Sequence, residues 1–95
     1  MAEVIWAPAA VRDVESIAEY VARDSPDRAA LLASRLTELA ERAGVFPQSG
    51  RVIPEIQDPA CREMMYGPYR VMYRVAGNRV WITGVVHGAR DWRPE

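Results

Sequence analysis

Two arginines and a methionine share one face of a short predicted strand. The segment YRVMYRV, residues 69–75, is rich in β-branched and aromatic side chains, which indicates a β-strand. Side chains two residues apart lie on the same face of a strand, so Arg70 and Arg74 flank Met72 there. Guanidinium groups recognise carboxylates and phosphates through paired N–H donors, and arginine is enriched at binding surfaces. The pattern raises the question of what this face binds.

A predicted hairpin extends that face. Gly77 and Asn78 separate strands at 69–76 and 79–86, which predicts a two-residue turn. This turn fixes which residues pair across the two strands, and one set of pairs forms an apolar face on which the helices are expected to pack. These pairs are Val75 with Val80, Tyr73 with Ile82, Val71 with Gly84 and Tyr69 with Val86. The opposite face receives Arg70, Met72, Arg74, Trp81, Thr83, Val85 and, at its end, His87. No predicted helix is left to cover this second set, so we expect it to bind a partner protein, although single arginines could instead pair with Glu63 or Asp91.

Length and charge restrict the class of protein. A chain of 95 residues predicts a single domain, residues 1–95. The net charge is -1 and the pI is about 5.8, which is far below the value of roughly 9 that marks dedicated nucleic-acid binders. We therefore expect no direct sequence-specific binding of nucleic acid. The charge is nonetheless uneven, because residues 69–90 contain four arginines and no acid.

Several kinds of chemistry are disfavoured by residue counts. All 12 basic residues are arginine, so no mechanism can use lysine. One cysteine, Cys61, and one histidine, His87, make a protein-built zinc site improbable, and we expect neither metal nor cofactor. The lone cysteine and the absence of a basic start followed by a long apolar run predict a cytoplasmic protein. No apolar run approaches the roughly 20 residues that span a bilayer, so no membrane association is expected.

The elements that must position these residues can be predicted from periodicity. Residues 3–7 favour a strand, and Pro8 suits the first turn of a helix whose apolar residues recur every three or four positions. Ser25 is a predicted N-cap for a second helix, which Gly44 is predicted to end. The connection is so short that the helices should form an antiparallel hairpin. Strands at 62–66, 69–76 and 79–86 complete a β-α-α-β-β-β order, an α+β fold with a largely antiparallel sheet on the N-terminal helical hairpin.

Two long segments resemble a known family. The stretch GRVIPEIQDPACREMMYGPYRVMYRVAGNRVWITGVVHGARD is similar to the second half of the RelE/ParE superfamily of bacterial toxins, and VIWAPAAVRDVESIAEYVARDSP is similar to its opening. The pieces GPYRVMYRV and VVHGARD are most like the ParE branch. The resemblance covers nearly the whole chain and implies the same fold, a sheet packed on a helical hairpin. It also implies the toxin of a type II toxin–antitoxin pair, with growth inhibition and plasmid stabilisation as consequences.

The resemblance leaves two modes of action to be weighed. RelE-like toxins cut mRNA on the ribosome with a set of arginines, lysines and a tyrosine, whereas ParE-like toxins poison DNA gyrase and have no established catalytic residues. The two arginines of the RelE set fall on Arg70 and Arg90, but its lysines fall on Cys61 and Glu63, and its tyrosine falls past Glu95. These differences favour a gyrase-binding protein over an enzyme. The alternatives are a ribonuclease that uses Glu55, Arg70, His87 and Arg90, with histidine as a residue type suited to acid–base chemistry near neutral pH, or an inactive member that only binds.

The resemblance and the residue pattern together predict the binding sites. We expect a hetero-oligomer with a cognate antitoxin, and DNA gyrase as the target. The residues predicted to contact the target are Arg70, Arg74, Trp81, His87 and Arg90. Those predicted to contact the antitoxin, across the helical hairpin and the sheet, are Val14, Ile17, Val21, Leu32, Leu36, Met72 and Trp81.

Overall fold

The computed structural model describes residues 1–88 and 92–94, which form two helices on one five-stranded sheet. The elements are β1 (Glu3–Trp6), α1 (Pro8–Ala22), α2 (Pro26–Val45), β2 (Arg51–Val52), β3 (Cys61–Tyr66), β4 (Tyr69–Ala76) and β5 (Arg79–His87). The strand order is β1-β5-β4-β3-β2, and only β1 runs parallel to its neighbour. This arrangement confirms the predicted α+β fold. The two-residue strand β2, inside a proline-interrupted segment, was not predicted. Neither helix is long and apolar enough, over the residues described, to cross a membrane.

The helices begin where local signals place them. Pro8 stands at the first position of α1, where its missing N–H costs nothing. The Ser25 hydroxyl accepts a hydrogen bond of 3.2 Å from the Arg28 amide, and Pro26 follows at the first position of α2. The predicted break between the helices is therefore confirmed.

Gly44 does not end α2, contrary to the prediction. The helix continues to Val45. A Cβ atom on Gly44 would lie 2.5 Å from Cγ2 of Val4, and the Gly44 carbonyl accepts a hydrogen bond from the Ala2 amide. The glycine therefore allows α2 to lie close against the start of β1, which sequence periodicity does not reveal.

The predicted turn at Gly77 is confirmed, but the predicted register holds for only part of the hairpin. Gly77 has a φ of 61°. Ala76 pairs with Arg79, and the register continues as predicted through Val75 with Val80 and Tyr73 with Ile82. It then shifts by one residue, because Met72 pairs with Gly84 and leaves Thr83 as a β-bulge.

The bulge exchanges the faces of every β5 residue that follows it. Val71 pairs with Val85 and Tyr69 with His87, instead of Gly84 and Val86. Because side chains alternate along a strand, Val85 and His87 move to the side of the helices and Val86 moves to the other side. The prediction that Val85 and His87 share a face with Arg70 is wrong.

The helix face, defined as the side of the sheet on which α1 and α2 pack, carries the main core. Leu36, Val80 and Ile82 are completely buried there. The other buried members of this core are Ala10, Ala40, Ala43, Met64, Val71, Tyr73 and Val85. The amphipathic stripe of each helix meets the apolar side chains of β4 and β5, as the periodicity predicted.

The second face, defined as the opposite side of the sheet, is also covered. Residues 53–60, between β2 and β3, fold over it, and Ile53 packs in a smaller core with Cys61 and Met72. Val86 and Trp92 pack against this cluster. Neither helix covers this face, as predicted, but the expectation that it is open is wrong around Arg70 and Met72, because an irregular segment without a helical or strand pattern covers them.

Candidate functional site

A buried cluster of charges lies on the second face. Strand β4 places Arg70 beside Glu63 of β3, and residues 53–60 bring Glu55 over both. The Arg70 guanidinium donates two hydrogen bonds of 2.8 Å to the two oxygens of Glu55, and its Nε lies 2.7 Å from a Glu63 oxygen. The second Glu63 oxygen accepts from Arg51 Nε of β2. The Arg70 guanidinium also lies over the Trp92 ring, 5.5 Å from its centre.

Pairing explains how these charges tolerate burial. Glu63 is 1% exposed and Arg70 is 7% exposed, and ions removed from water must be paired to be stable. The hydrogen bonds from Arg70 hold the pKa of the Glu55 carboxyl at about 2, well below its ordinary value of 4.5. The same bonds, above all those to Glu55, raise the pKa of the Arg70 guanidinium. Glu55 and Arg70 therefore both remain ionised at neutral pH.

The prediction that Arg70 lies on an open face is corrected by this geometry. The N–H donors of Arg70 bind Glu55 and Glu63, which come earlier in the chain, although residues 69–90 contain no acid. The alternative, in which Arg70 pairs with Glu63, is what the structure shows. What the sequence did not indicate is that Glu55, fifteen residues away, would bind it in a bidentate manner.

Arg74 and Trp81 form a more exposed row on the same face. The Arg74 guanidinium is 3.9 Å from an Asp58 oxygen and 3.5 Å from the Cys61 sulfur, and its side chain is 55% exposed. Trp81 is the cross-strand neighbour of Arg74 and is half-buried. Strand β1 adds Ile5 beside Trp81. A cation and an aromatic ring therefore lie side by side where a partner could reach them.

A cleft of about 690 Å³ lies between this face, the start of α1 and the C-terminal residues 92–94. Its walls combine apolar side chains, including Met72 and Ile53, with Arg74 and Thr83. Asp13 of α1 reaches into it, and its carboxylate accepts a hydrogen bond of 2.9 Å from the Val85 amide beside the bulge. This mixture of apolar and polar groups suits a protein side chain better than the charged phosphate backbone of a nucleic acid. No group of three His, Cys, Asp or Glu side chains among the described residues could hold a metal ion.

The groups of the alternative ribonuclease set do not all lie together. Glu55 and Arg70 are in contact, but His87 lies on the helix face, where its ring meets Tyr69 edge to face at 5.5 Å. Arg90, like Asp91, is outside the described residues. The geometry therefore separates the only histidine from the Glu55–Arg70 pair by the thickness of the sheet.

Two of the residues predicted to contact an antitoxin lie in the interior. Leu36 is 0% exposed and Met72 is 3% exposed, so neither is available as a surface contact. Val14, Ile17 and Leu32 are partly buried against the main core, and Val21 is half-buried. These helix residues face inward because the apolar stripe of a helix packs on its own sheet first. Trp81 keeps part of its surface accessible.

Sequence analysis missed two exposed apolar side chains, one in a loop and one in a strand. Phe46 is 60% exposed and Met65 is 48% exposed. Phe46 lies just after α2, and Met65 lies in a strand whose other side is buried. The signal that could have identified Phe46 is a large aromatic residue within the loop segment FPQSG, where no core position is expected.

Comparison with known proteins agrees with this architecture. A sequence model described as "ParE toxin of type II toxin-antitoxin system, parDE" matches residues 4–92. The chain belongs to the ParE toxin family. It is therefore a toxin of the type II toxin–antitoxin class, within the RelE/ParE superfamily, as the resemblance predicted.

Two relatives of the family illustrate its range. The chain is 33% identical over 91 residues to "Toxin RelE2" of Caulobacter vibrioides, an alignment that covers 95% of this chain and 99% of the relative. The solved structure titled "Chromosomal ParDE TA system from P. aeruginosa" superposes with a TM-score of 0.75 at 21% identity, over 92% of this chain and 96% of that one. The fold is thus shared, while the names of these two proteins include both branches of the superfamily.

Proposed function

We propose that this toxin inhibits growth by binding DNA gyrase, and that a cognate antitoxin neutralises it by forming a hetero-oligomer. The toxin acts as a binding protein and not as a ribonuclease. The observation that carries this proposal is the state of Arg70, which is buried and neutralised within the chain by Glu55 and Glu63.

The chemistry of RNA cleavage argues for this choice. A ribonuclease needs a base for the 2′-hydroxyl, an acid for the leaving oxygen and a free cation for the scissile phosphate. The Glu55 carboxylate is a weak base because its pKa is about 2, and the Arg70 donors that would meet phosphate already bind carboxylates. His87 lies across the sheet from both. A binding role requires none of these groups to be free.

The target surface that we propose is centred on Arg74 and Trp81. Arginine and tryptophan are the residue types that most often dominate binding energy, and both are accessible here next to the cleft. Arg70 supports this surface from below by holding residues 53–60 in place. His87, on the helix face, and Arg90, which is outside the described residues, remain proposed contacts.

The experiment that tests the proposal compares the two activities with one preparation. Purified toxin is added to gyrase supercoiling reactions and, separately, to a translation extract with a defined mRNA. We expect inhibited supercoiling or accumulated cleaved DNA, and no codon-dependent mRNA cuts. Cuts in the ribosomal A site without an effect on gyrase would replace this proposal with the ribonuclease alternative.

A matched pair of variants links the assay to the surface. Arg74→Ala should weaken gyrase inhibition, whereas Arg12→Ala, which removes an exposed arginine from α1, should not. Equal inhibition by both variants would place the contact elsewhere on the chain.

A further inference from the structure

Exposed apolar side chains lie on both sides of one edge of the sheet: Val45 and Phe46 where α2 ends, and Met65 on the second face, like its cross-strand partner Arg70. Phe46, Met65 and Val45 are 60%, 48% and 44% exposed. Two adjoining hollows of about 280 and 520 Å³ lie there and share Arg42 and Ser49 in their walls. We call this surface the edge groove; it consists of Leu39, Arg42, Val45, Phe46, Arg51 and Met65. It is separate from the Arg74–Trp81 surface and from the cleft beside it.

One side of the edge groove is an open strand edge. Strand β2 pairs only with Arg62 and Glu63, so within the described residues Met64–Tyr66 of β3 has no strand neighbour on that side. The chain leaves the sheet at Gly50, whose amide donates to the Tyr73 hydroxyl at 2.9 Å instead of continuing the ladder. Backbone groups alternate along an antiparallel strand. Because Glu63 faces β2, the Met65 amide and carbonyl point to the vacant side.

The edge groove is positively charged. Arg42 is exposed and forms no ion pair among the described residues, and the Arg51 side chain is 63% exposed. Among the described residues, the one acid in the walls of the two hollows is Glu63, which is buried and already paired with Arg51 and Arg70. A segment that complements this surface therefore carries carboxylates as well as apolar side chains.

We propose that the edge groove receives an extended, acidic and apolar segment of the antitoxin. The segment adds a short strand beside β3 at Met65, lays an apolar side chain on Phe46 and Val45, and directs a carboxylate to Arg42. Main-chain pairing supplies affinity and the alternate side chains supply specificity, as in other cases of strand addition. This inference rests on the proposed function in one respect, the existence of an antitoxin partner.

The test uses the full toxin and the full-length product of the gene adjacent to the toxin gene. Binding is measured by calorimetry for wild type, Phe46→Ala, Met65→Ala and Arg42→Glu. We expect Phe46→Ala to weaken binding by about 30-fold, as for an anchor at an interface centre. Arg42→Glu should weaken it by about tenfold at low salt and by less at high salt. The matched controls, Leu31→Ala and Arg12→Glu, should change binding by less than about threefold.

Hydrogen exchange on the wild-type complex provides a readout that needs no variant. The Met65 amide should exchange rapidly in the free toxin and be protected in the complex. An unprotected Met65 amide, or antitoxin binding that the three edge-groove variants leave unchanged, would overturn the inference while the toxin–antitoxin pairing itself stood. Wild type that does not bind the adjacent product would overturn both. Toxin dimers that Phe46→Ala dissociates without affecting antitoxin binding would assign the groove to a second copy instead.

Discussion

The helix face and the second face of the sheet are both covered, but by different kinds of contact. On the helix face, two amphipathic helices bury aliphatic and aromatic side chains such as Leu36, Val80 and Ile82. On the second face, an irregular segment covers a small apolar cluster and a set of interlocking ions, Glu55, Glu63 and Arg70. The helix face is stabilised by the apolar area that it removes from water. On the second face, each buried charge is stable only because it has a partner of opposite charge.

This difference predicts how each face responds to substitution. A lost apolar side chain costs the free energy of transfer and of the cavity that remains, whatever its neighbours are. A lost ion costs most when its partner stays buried, because the remaining charge is uncompensated. Removing both ions of a pair can therefore lower the free energy of unfolding less than removing one of them. We expect no such recovery for pairs of apolar side chains on the helix face.

The largest expected effect tests that contrast at Arg70. Arg70→Met leaves Glu63 buried without its buried partner and paired only with the exposed Arg51 among the described residues, so we expect the free energy of unfolding to fall by about 3–5 kcal/mol. Urea denaturation followed by circular dichroism measures it. Combining Arg70→Met with Glu63→Leu should restore part of the loss.

A matched experiment on the helix face completes this comparison. Leu36→Ala should lower the free energy of unfolding by about 2–5 kcal/mol. Shortening a neighbouring side chain as well should not recover this loss. An Arg70→Met protein as stable as wild type would contradict the view that the ion cluster holds residues 53–60 on the sheet.

A smaller effect is expected from two glycines, one on each side of the sheet. Gly44→Ala brings a methyl group to within 2.5 Å of Val4 Cγ2 in the packed core, so we expect a loss of about 1–3 kcal/mol. Gly84→Ala meets Met72 Cε at 3.1 Å, the flexible end of a side chain beside the cleft. We expect a loss of less than about 1 kcal/mol there. Thermal unfolding of both variants decides, and equal losses would mean that the two sides are packed with the same rigidity.

The ionic character of the second face should also appear as a dependence of stability on pH. The pKa of Glu55 falls from 4.5 to about 2 on folding. The stability that this carboxylate contributes is present above pH 4.5 and is lost as the pH falls towards 2, since the unfolded chain binds the proton more tightly. The melting temperature of wild type should decrease over this window more steeply than that of Glu55→Gln. Parallel curves would show that the Glu55–Arg70 contact contributes nothing to stability.

The smallest expected effect on stability is at Arg74, on the accessible part of the second face. Its ion pair with Asp58 is long and both side chains are about half exposed, so Arg74→Ala should cost less than about 1 kcal/mol. Growth inhibition should nevertheless fall if Arg74 contacts the target as proposed. Growth assays beside thermal unfolding separate the two roles. Toxicity that decreases only in proportion to the melting temperature would favour a structural role.

Local signals predicted the fold because each acts within a few residues. Pro8 and the Ser25–Pro26 pair begin helices through missing or capped N–H groups, and Gly77 allows the tight turn between β4 and β5. The same reasoning failed at Thr83, where a bulge shifts the register by one residue. A bulge depends on what packs against the strand, here Asp13 of α1 bonded to the Val85 amide, and that contact joins residues 72 positions apart.

By itself, the sequence determined the order of the two helices and the four longer strands, the helical hairpin and the family to which the toxin belongs, because periodicity, capping and turn chemistry are properties of neighbouring residues. The tertiary structure decided which side chains reach solvent. It buried Arg70 between Glu55 and Glu63, moved His87 to the opposite face and left Phe46 and Met65 exposed. The change of face of His87 depends on the bulge at Thr83, and the burial of Arg70 depends on where an irregular segment, residues 53–60, folds relative to the sheet. No periodic pattern encodes that position, since it follows from ion pairs and packing between residues that are distant along the chain.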